Sequence, residues 1–474
     1  MSKQDLLAIL EPFGQQHLVQ FWDELDATAQ QSLADEIRSL DLAQINDLAK
    51  QQQTVADYAG QARIAEAPPA VLLSDSSPKI ARGDAIETGE AALREGKVGM
   101  VLVAGGQGTR LGFPHPKGMF PLGPVSNRTL FHILFDRVKA IGRKYGKPVP
   151  FLLMTSPATH EATVNYLEEN QYFGIPKDQV RIFCQGSMPA VDAETGNILL
   201  ADKGQLFKSP DGHGGMLGAL DRSGCLQWAK ELGVEHFFYG QVDNPLLQIC
   251  DPYFIGCHLL GQSELTSQVI RKRDALERVG NVVSVNGRVK IIEYSDLPED
   301  AARQTNDDGS LKIWAGSIAV HMFALQFLET SLKSTTSLPF HIANKKVPFV
   351  NSAGETINPE TPNAFKFERF VFDLMPLAEN SLVVEVDRQQ AFSPVKNAEG
   401  AATDTAATAK ADMIRLNRGW LVEAGVEVQE GVAVEISPLW ALDADAVKER
   451  VGGNFEPITQ PTFLDEVCEF ATQS

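Results

Sequence analysis

A chain of 474 residues is too long for one small domain and can bury a large core, so two or three domains are expected. Its net charge of −19, with no basic tail, argues against general affinity for nucleic acid or anionic membranes. The opening residues, MSKQDLLAILEPF, lack a basic segment followed by a long apolar stretch, and no apolar run elsewhere reaches membrane-spanning length, which predicts a cytoplasmic protein.

In chain order, residues 4–53 carry apolar side chains at helical spacings, Leu18, Phe21, Trp22 and Leu25, then Leu33, Ile37 and Leu40, with Pro12-Phe13-Gly14 parting the first helix from the second. These stripes read as the packing surface of a helical arm. Residues 54–94 are Ala-, Ser- and Pro-rich before a helix over 85–95, and read as a linker. From Lys97 onward apolar runs alternate with helical stretches: VGMVLVAG, a helix over 129–145, PVPFLLMTS, a helix over 160–170, and VRIFCQG. This rhythm predicts an α/β fold with a largely parallel sheet whose strands end, at their carboxyl edge, in ligand-binding loops. After Asn380, SLVVEVDR reads as a strand, residues 401–418 as a helix and WLVEAGVEVQEGVAVEISPLWAL as strand-rich. The expected division is therefore an arm and linker (1–95), a catalytic domain (96–385) and a small β-containing C-terminal domain (386–474). Five cysteines, Cys184, Cys225, Cys250, Cys257 and Cys468, are odd in number and form no CxxC pair, so reduced thiols are expected.

The chemistry concentrates in residues 98–120, VGMVLVAGGQGTRLGFPHPKGMF. An apolar strand ends in Ala104, Gly105 and Gly106, and the loop that follows carries Gly108, Gly112, Arg110 and Lys117. Glycines admit positive φ and close approach, main-chain N–H groups can cradle anions, and the Arg and Lys add positive charge, so the segment reads as a phosphate-binding loop. The dinucleotide fingerprint does not fit: counted from Gly106, the sixth position is Leu111, and Gly112 comes one place late. A Walker loop does not fit either, because Lys117 is followed by Gly118 and no hydroxyl is present for magnesium. Neither Gly-x-Ser-x-Gly nor His-Glu-x-x-His occurs, so hydrolase readings lack support. Asp243, at the end of the apolar run 237–242, could hold Mg2+ or cap the next helix, a role also open to Asp251 beside Pro252.

The segment Ala-Gly-Gly-Gln-Gly-Thr-Arg-Leu-Gly with Pro-Lys-Gly-Met resembles the signature loop of the UDP-sugar pyrophosphorylases, in the UDP-N-acetylhexosamine pyrophosphorylase branch. Further blocks resemble that family in its own order: Gln185-Gly186, Ser209-Pro210-Asp211-Gly212-His213-Gly214-Gly215, Val242-Asp243-Asn244, Glu293-Tyr294-Ser295, the segment 366–373 from Lys366 to Asp373, and Phe392-Ser393-Pro394-Val395-Lys396. The resemblance implies a Rossmann-like nucleotidyltransferase core with a mixed, mostly parallel sheet. It also implies a uridylyltransferase that joins UTP to a sugar 1-phosphate with Mg2+ on Asp243. Gly105, Gly106, Gln107, Gln185, Gly212 and Lys366 would bind UTP; Arg110, Lys117 and Lys396 would act on the phosphates; His213, Glu293, Ser317, Phe370 and Phe372 would face the sugar. Gln107 separates this loop from the glucose-type branch, where leucine is usual. N-acetylglucosamine 1-phosphate, or N-acetylgalactosamine 1-phosphate, is the first expectation, with glucose or galactose 1-phosphate as the alternative. A nucleotide-binding homologue without activity is a further alternative, disfavoured because Arg110, Lys117, Asp243, Lys366 and Lys396 are all retained. His213 and Ser317 depart from the family, which usually carries asparagine at both places. No obligate protein partner is implied.

Overall fold

The computed structural model describes residues 1–50, 58–75, 78–333, 338–452 and 456–467. Cys468 and residues 54–57 and 76–77 of the expected linker lie outside them; the other four cysteines are free thiols. Two compact units emerge from the packing. The smaller comprises Met1–Tyr58, Gln185–Leu217 and Thr336–Asp373, and the larger comprises Ala59–Cys184, Gly218–Thr335 and Leu374–Ser474.

The larger unit is built on one sheet whose strands are β1 (Ala70–Val71), β2 (Val98–Val103), β3 (Phe151–Thr155), β4 (Val180–Cys184), β5 (His236–Gln241), β6 (Leu265–Arg271), β7 (Asn281–Val285), β8 (Arg288–Ile292), β9 (Ala315–Ala324) and β10 (Ser381–Glu385). Their order is β1-β10-β6-β9-β5-β2-β3-β4, with β7 and β8 joined as a hairpin at β9. β2, β3, β4 and β5 run parallel, as do β1, β6 and β10; β9 is antiparallel to both neighbours, so the sheet is mixed but mostly parallel. Continuous apolar runs suit strands covered on both faces. The helix Leu130–Tyr145 begins at Thr129, whose hydroxyl accepts from His132 N–H (3.3 Å), and stops at Gly146 with φ 70°. It buries Phe131, Leu134, Phe135, Val138 and Ile141, with the Phe135 ring 4.7 Å from that of Phe151 on β3. Among the described residues no helix is long and apolar enough to cross a membrane.

Two glycines set a close helix crossing. A Cβ on Gly256, in the helix Pro252–Leu260, would lie 1.7 Å from the Ala85 carbonyl oxygen, and one on Gly89, in the helix Arg82–Glu95, would lie 1.9 Å from that of Pro252. Gly256→Ala must push two backbones apart. An overpacking cost of about 1–3 kcal/mol or more is expected, seen as a fall of several degrees in Tm, whereas Gly83→Ala, a helical position with open space around it, should hold Tm or raise it slightly.

Four expectations need correction. The units do not follow consecutive segments. Leu6, Leu18, Leu33 and Ile37 of the arm share a core with Met188, Ile198, Leu206 and Phe367, because an arm that short cannot bury its stripe alone. Within it, Leu18 to Leu25 do not form one helix: Gly14 turns with φ 70°, and the short turns Gln16–Val19 and Trp22–Glu24 follow. Part of the linker is an edge strand, since Ala70 and Val71 pair with Val383 and Val384.

The segment expected to be strand-rich is mostly not strand. Helix Ala406–Glu423 takes in Trp420 and Leu421, and a single strand in that segment, Val434–Ile436, pairs in parallel with Thr462–Leu464. Gly425 and Gly431, at φ 89° and 79°, interrupt the alternation, and Leu421, Val434, Trp440 and Val447 close a small core of their own. Charge fastens this C-terminal piece to the rest of the unit. Glu435 accepts from the N–H groups of Val125 and Ser126 (both 2.7 Å), and Arg128 bonds Asp136 and Asp465 (both 2.8 Å). Burial raises the Asp136 carboxyl to about 6 against the opposing pull of Arg128.

Candidate active site

The chain leaves β2 and β5 side by side. Val103 is paired with Gln241, and Val242 N–H donates to the Val103 carbonyl (3.0 Å), so the glycine loop and Asp243 begin at one level of the carboxyl edge. The loop is closed by Lys117 N–H to the Gly106 carbonyl (3.0 Å) and Gly108 N–H to the His115 carbonyl (2.8 Å), while Ser156 Oγ donates to the Gly105 carbonyl (2.7 Å). Of its glycines, Gly112 alone has positive φ, at 69°. Gly108 and Gly118 are needed for space: a Cβ would stand 2.8 Å from Phe113 Cδ1 at the first and 2.3 Å from Phe131 Cζ at the second. Gly106, Gln107 and Arg110 are exposed.

Lys117 Nζ reaches Asp243 Oδ2 at 3.4 Å, with the side chains 16% and 13% exposed. Helix capping, the competing role for Asp243, belongs to Asp251, whose carboxylate accepts from Tyr253 and Phe254 N–H (3.3 and 3.2 Å). Desolvation raises the half-buried Asp251 carboxyl, and those two N–H groups oppose the rise. The backbone carbonyl of Asp243 accepts from Val395 N–H (2.8 Å). Next to it Asn244 accepts from Leu246 and Ser393 N–H (3.2 and 3.1 Å) and donates to the Ala391 carbonyl (2.7 Å). The loop carrying Lys396 is thereby fixed to the end of β5. Its far side is held by the Asp404 carbonyl, which accepts from Lys396 and Asn397 N–H at 2.7 and 2.9 Å. The Lys396 ammonium is exposed and stands 5.6 Å from the centre of the Phe392 ring.

Among the described residues no group of three or more His, Cys, Asp or Glu side chains is suited to a metal ion. That does not oppose Mg2+ at Asp243. This ion is commonly held by one or two carboxylates and completes its shell with phosphate oxygens and water, and the Asp243 carboxylate is partly exposed and takes no part in helix capping.

Glu293 and Ser317 of the larger unit flank Gly280, whose hypothetical Cβ would lie 3.2 Å from Glu293 Oε1 and 3.7 Å from Ser317 Cβ. Ser317 N–H donates to the Gly280 carbonyl (2.8 Å), and Ser317 Oγ accepts from Ala319 N–H (3.3 Å).

The smaller unit gathers its own set. Asp211 N–H donates to the Gly186 carbonyl (3.1 Å), Arg369 N–H to the Asp211 carbonyl (2.8 Å) and Gly214 N–H to the Arg369 carbonyl (2.8 Å), tying Gln185-Gly186, residues 211–215 and residues 369–372 together. Gly212 has φ 80°, and a Cβ there would meet the Arg369 carbonyl oxygen at 2.3 Å, so only glycine fits. His213 Nδ1 accepts from Val371 N–H (3.2 Å). Burial and the nearby His341 lower its pKa to about 4. Its ring lies 5.3 and 5.8 Å from those of Phe370 and Phe372, which stack on each other at 4.9 Å. Lys366, on the strand Ala364–Glu368, stands 5.0 Å over the Phe207 ring; burial lowers its pKa, and Glu368 opposes this. Nothing in the sequence sets Ser393, His341, Asn244 or Asp373 apart. Asn244 and Ser393 act by bracing, which has no spacing signature, and His341 opens the short strand His341–Lys345.

A mostly parallel sheet with a glycine loop, a lysine and an aspartate at its carboxyl edge is the arrangement of a nucleotidyltransferase. Residues 51–435 match the family described as UTP–glucose-1-phosphate uridylyltransferase, and the chain belongs to that family. It is 36% identical over 376 residues to UDP-N-acetylglucosamine pyrophosphorylase of Saccharomyces cerevisiae, covering 78% of this chain and 79% of the relative. Identity to UDP-N-acetylglucosamine diphosphorylase 2 of Arabidopsis thaliana is 31%, over 99% of this chain and 94% of the other. The crystal structure of uridine diphosphate N-acetylglucosamine pyrophosphorylase from Trypanosoma brucei in complex with inhibitor superposes with a TM-score of 0.82 at 26% identity, covering 98% of each chain.

Proposed function

We propose that the protein is a cytoplasmic uridylyltransferase that makes UDP-N-acetylglucosamine and pyrophosphate from UTP and N-acetylglucosamine 1-phosphate, without an obligate protein partner. One observation carries this reading beyond family membership. Lys117 and the Lys396 loop are each bonded to Asp243 beyond the end of β5, with the Asp243 carboxylate relieved of capping by Asp251.

A phosphate oxygen of the sugar 1-phosphate attacks the α-phosphorus of UTP in line, the bond to the bridging β-oxygen breaks, and pyrophosphate leaves with the electron pair. No protein nucleophile is needed; the task is to align two anions and offset their charge. Arg110 and Lys117 take the triphosphate and the departing pyrophosphate, Lys366 a nucleotide phosphate, and Lys396 the attacking phosphate. The backbone of Gly105, Gly106 and Gly212 and the side chains of Gln107 and Gln185 bind the uridine, an amide matching the donor and acceptor pattern of a pyrimidine edge. Glu293, Ser317, His213, Phe370 and Phe372 face the sugar. Mg2+, held on Asp243, would neutralise phosphate charge.

Pyrophosphate release from UTP and Mg2+ with a panel of sugar 1-phosphates tests the reading. The largest kcat/KM is expected for N-acetylglucosamine 1-phosphate. A value for glucose 1-phosphate about tenfold higher would overturn the sugar assignment, and no release with any sugar would overturn the activity.

A further inference from the structure

Arg137, on the helix Leu130–Tyr145, is half-buried, and its Nε is fully buried without a hydrogen-bond partner. Its side chain forms no hydrogen bond or ion pair among the described residues. Burial lowers its pKa to about 10, so the guanidinium stays charged at neutral pH. It lines a cavity of about 30 Å3 together with Leu416, Asn417 and Trp420 of the helix Ala406–Glu423 and with Pro245 and Leu246, which follow Asp243-Asn244 in the chain. All of these residues belong to the larger unit. The Asn417 side chain, in a residue 7% exposed, likewise forms no hydrogen bond among the described residues. The other charged groups of the cavity wall are engaged elsewhere: Asp136 accepts from Arg128 (2.8 Å), and Glu435 accepts from Val125 and Ser126 N–H (both 2.7 Å).

A charge taken out of water without a partner is costly, and native folds rarely keep one unsatisfied. The guanidinium presents a fork of N–H donors and the Asn417 amide can add another, so both are satisfied by an acceptor, and the charge by an anion. Volume limits its size, since about 30 Å3 accommodates roughly two waters or one small ion and not a nucleotide. We propose that Arg137 and Asn417 form a binding site for a small monovalent anion, of chloride or carboxylate-group size, which fastens the helix Ala406–Glu423 to the helix Leu130–Tyr145 and to the segment after Asp243. The site does not depend on the transfer reaction above.

The test titrates sodium chloride or sodium formate against sodium gluconate, an anion too large for the cavity, at constant ionic strength. The chloride NMR linewidth and Tm are read for the parent, Arg137→Met, Asn417→Leu and a control, Arg303→Met, which removes an exposed arginine paired with Glu299. The parent and the control should broaden the chloride resonance saturably, and the parent should gain on the order of 1–2 °C in Tm at about ten times Kd. Arg137→Met keeps much of the length and removes the charge; both responses should vanish, with Tm in gluconate at or above the parental value because an unpaired buried charge has gone. Asn417→Leu should weaken chloride binding several-fold. Formate that narrows the chloride line shows that the site admits a carboxylate group, and formate that does not confines it to a halide; either supports an anion site. A parent without saturable broadening would mean that water alone satisfies Arg137 and would overturn the proposal, as would an equal chloride response in the parent and Arg137→Met. Unchanged affinity in Asn417→Leu overturns the part given to Asn417.

Discussion

Lys396→Ala is expected to bind UTP nearly as the parent does and to turn over about a hundredfold more slowly or worse. The ammonium is exposed, and the backbone around it is fixed independently by Val395 N–H on Asp243 and by the Asp404 carbonyl, so truncation removes charge without releasing the loop. The lysine is assigned to the attacking phosphate and not to the nucleotide, so the loss should fall on turnover. Removing one well-placed electrostatic contact costs about 3–4 kcal/mol at the transition state. Calorimetry with UTP and steady-state rates separate the two quantities. A mutant that lost nucleotide affinity while keeping kcat would place Lys396 on UTP and reject its assignment.

Asp243→Ala is expected to be inactive at Mg2+ concentrations that saturate the parent, and Asp243→Asn nearly so. The asparagine variant retains the backbone carbonyl that holds Val395 and almost the same volume, so its Tm should match the parent and show that the loss is not unfolding. Asp251→Ala makes the contrast. Its carboxylate caps the helix Pro252–Leu260, so that substitution should cost about 1 kcal/mol of stability and leave the Mg2+ dependence of the rate intact. Undiminished activity of the parent in excess EDTA would reject a metal at Asp243 outright.

The difference between those two aspartates marks how far the chain could be read in advance. The strand-helix alternation from Lys97 to Gly186 gave the parallel half of the sheet and the loops at its edge, because a buried strand must be apolar and its end must turn. Helix over 129–145 was legible for the same reason, with Thr129 as cap and Gly146 as stop. What could not be read is which distant segments meet. Nothing in the spacing of Leu18 and Leu33 says that Met188 and Phe367 complete their core, and nothing in Asp243 or Asp251 alone says which will find a helix N-terminus. The C-terminal error had a local cause. Alternation in residues 420–442 imitates strand, but the helix that begins at Thr405 runs through Trp420 on tertiary packing before the glycines end it. In the glycine loop the residue type is legible but its reason is not: Gly112 alone uses positive φ, while Gly108 is close-packed against Phe113.

The hydrogen bond from Val395 to the Asp243 carbonyl also says where this sequence can change in length. Aspartate and lysine lie far apart in the chain yet share one register, so an alignment of relatives should tolerate gaps at surface turns such as 306–310, where Asn306 and Ser310 close an exposed turn through Gly309. Between Glu385, the last residue of β10, and Val395 the count is fixed. One residue gained or lost there would carry Lys396 along by up to about 3.8 Å and swing its side chain away from the edge it shares with Asp243.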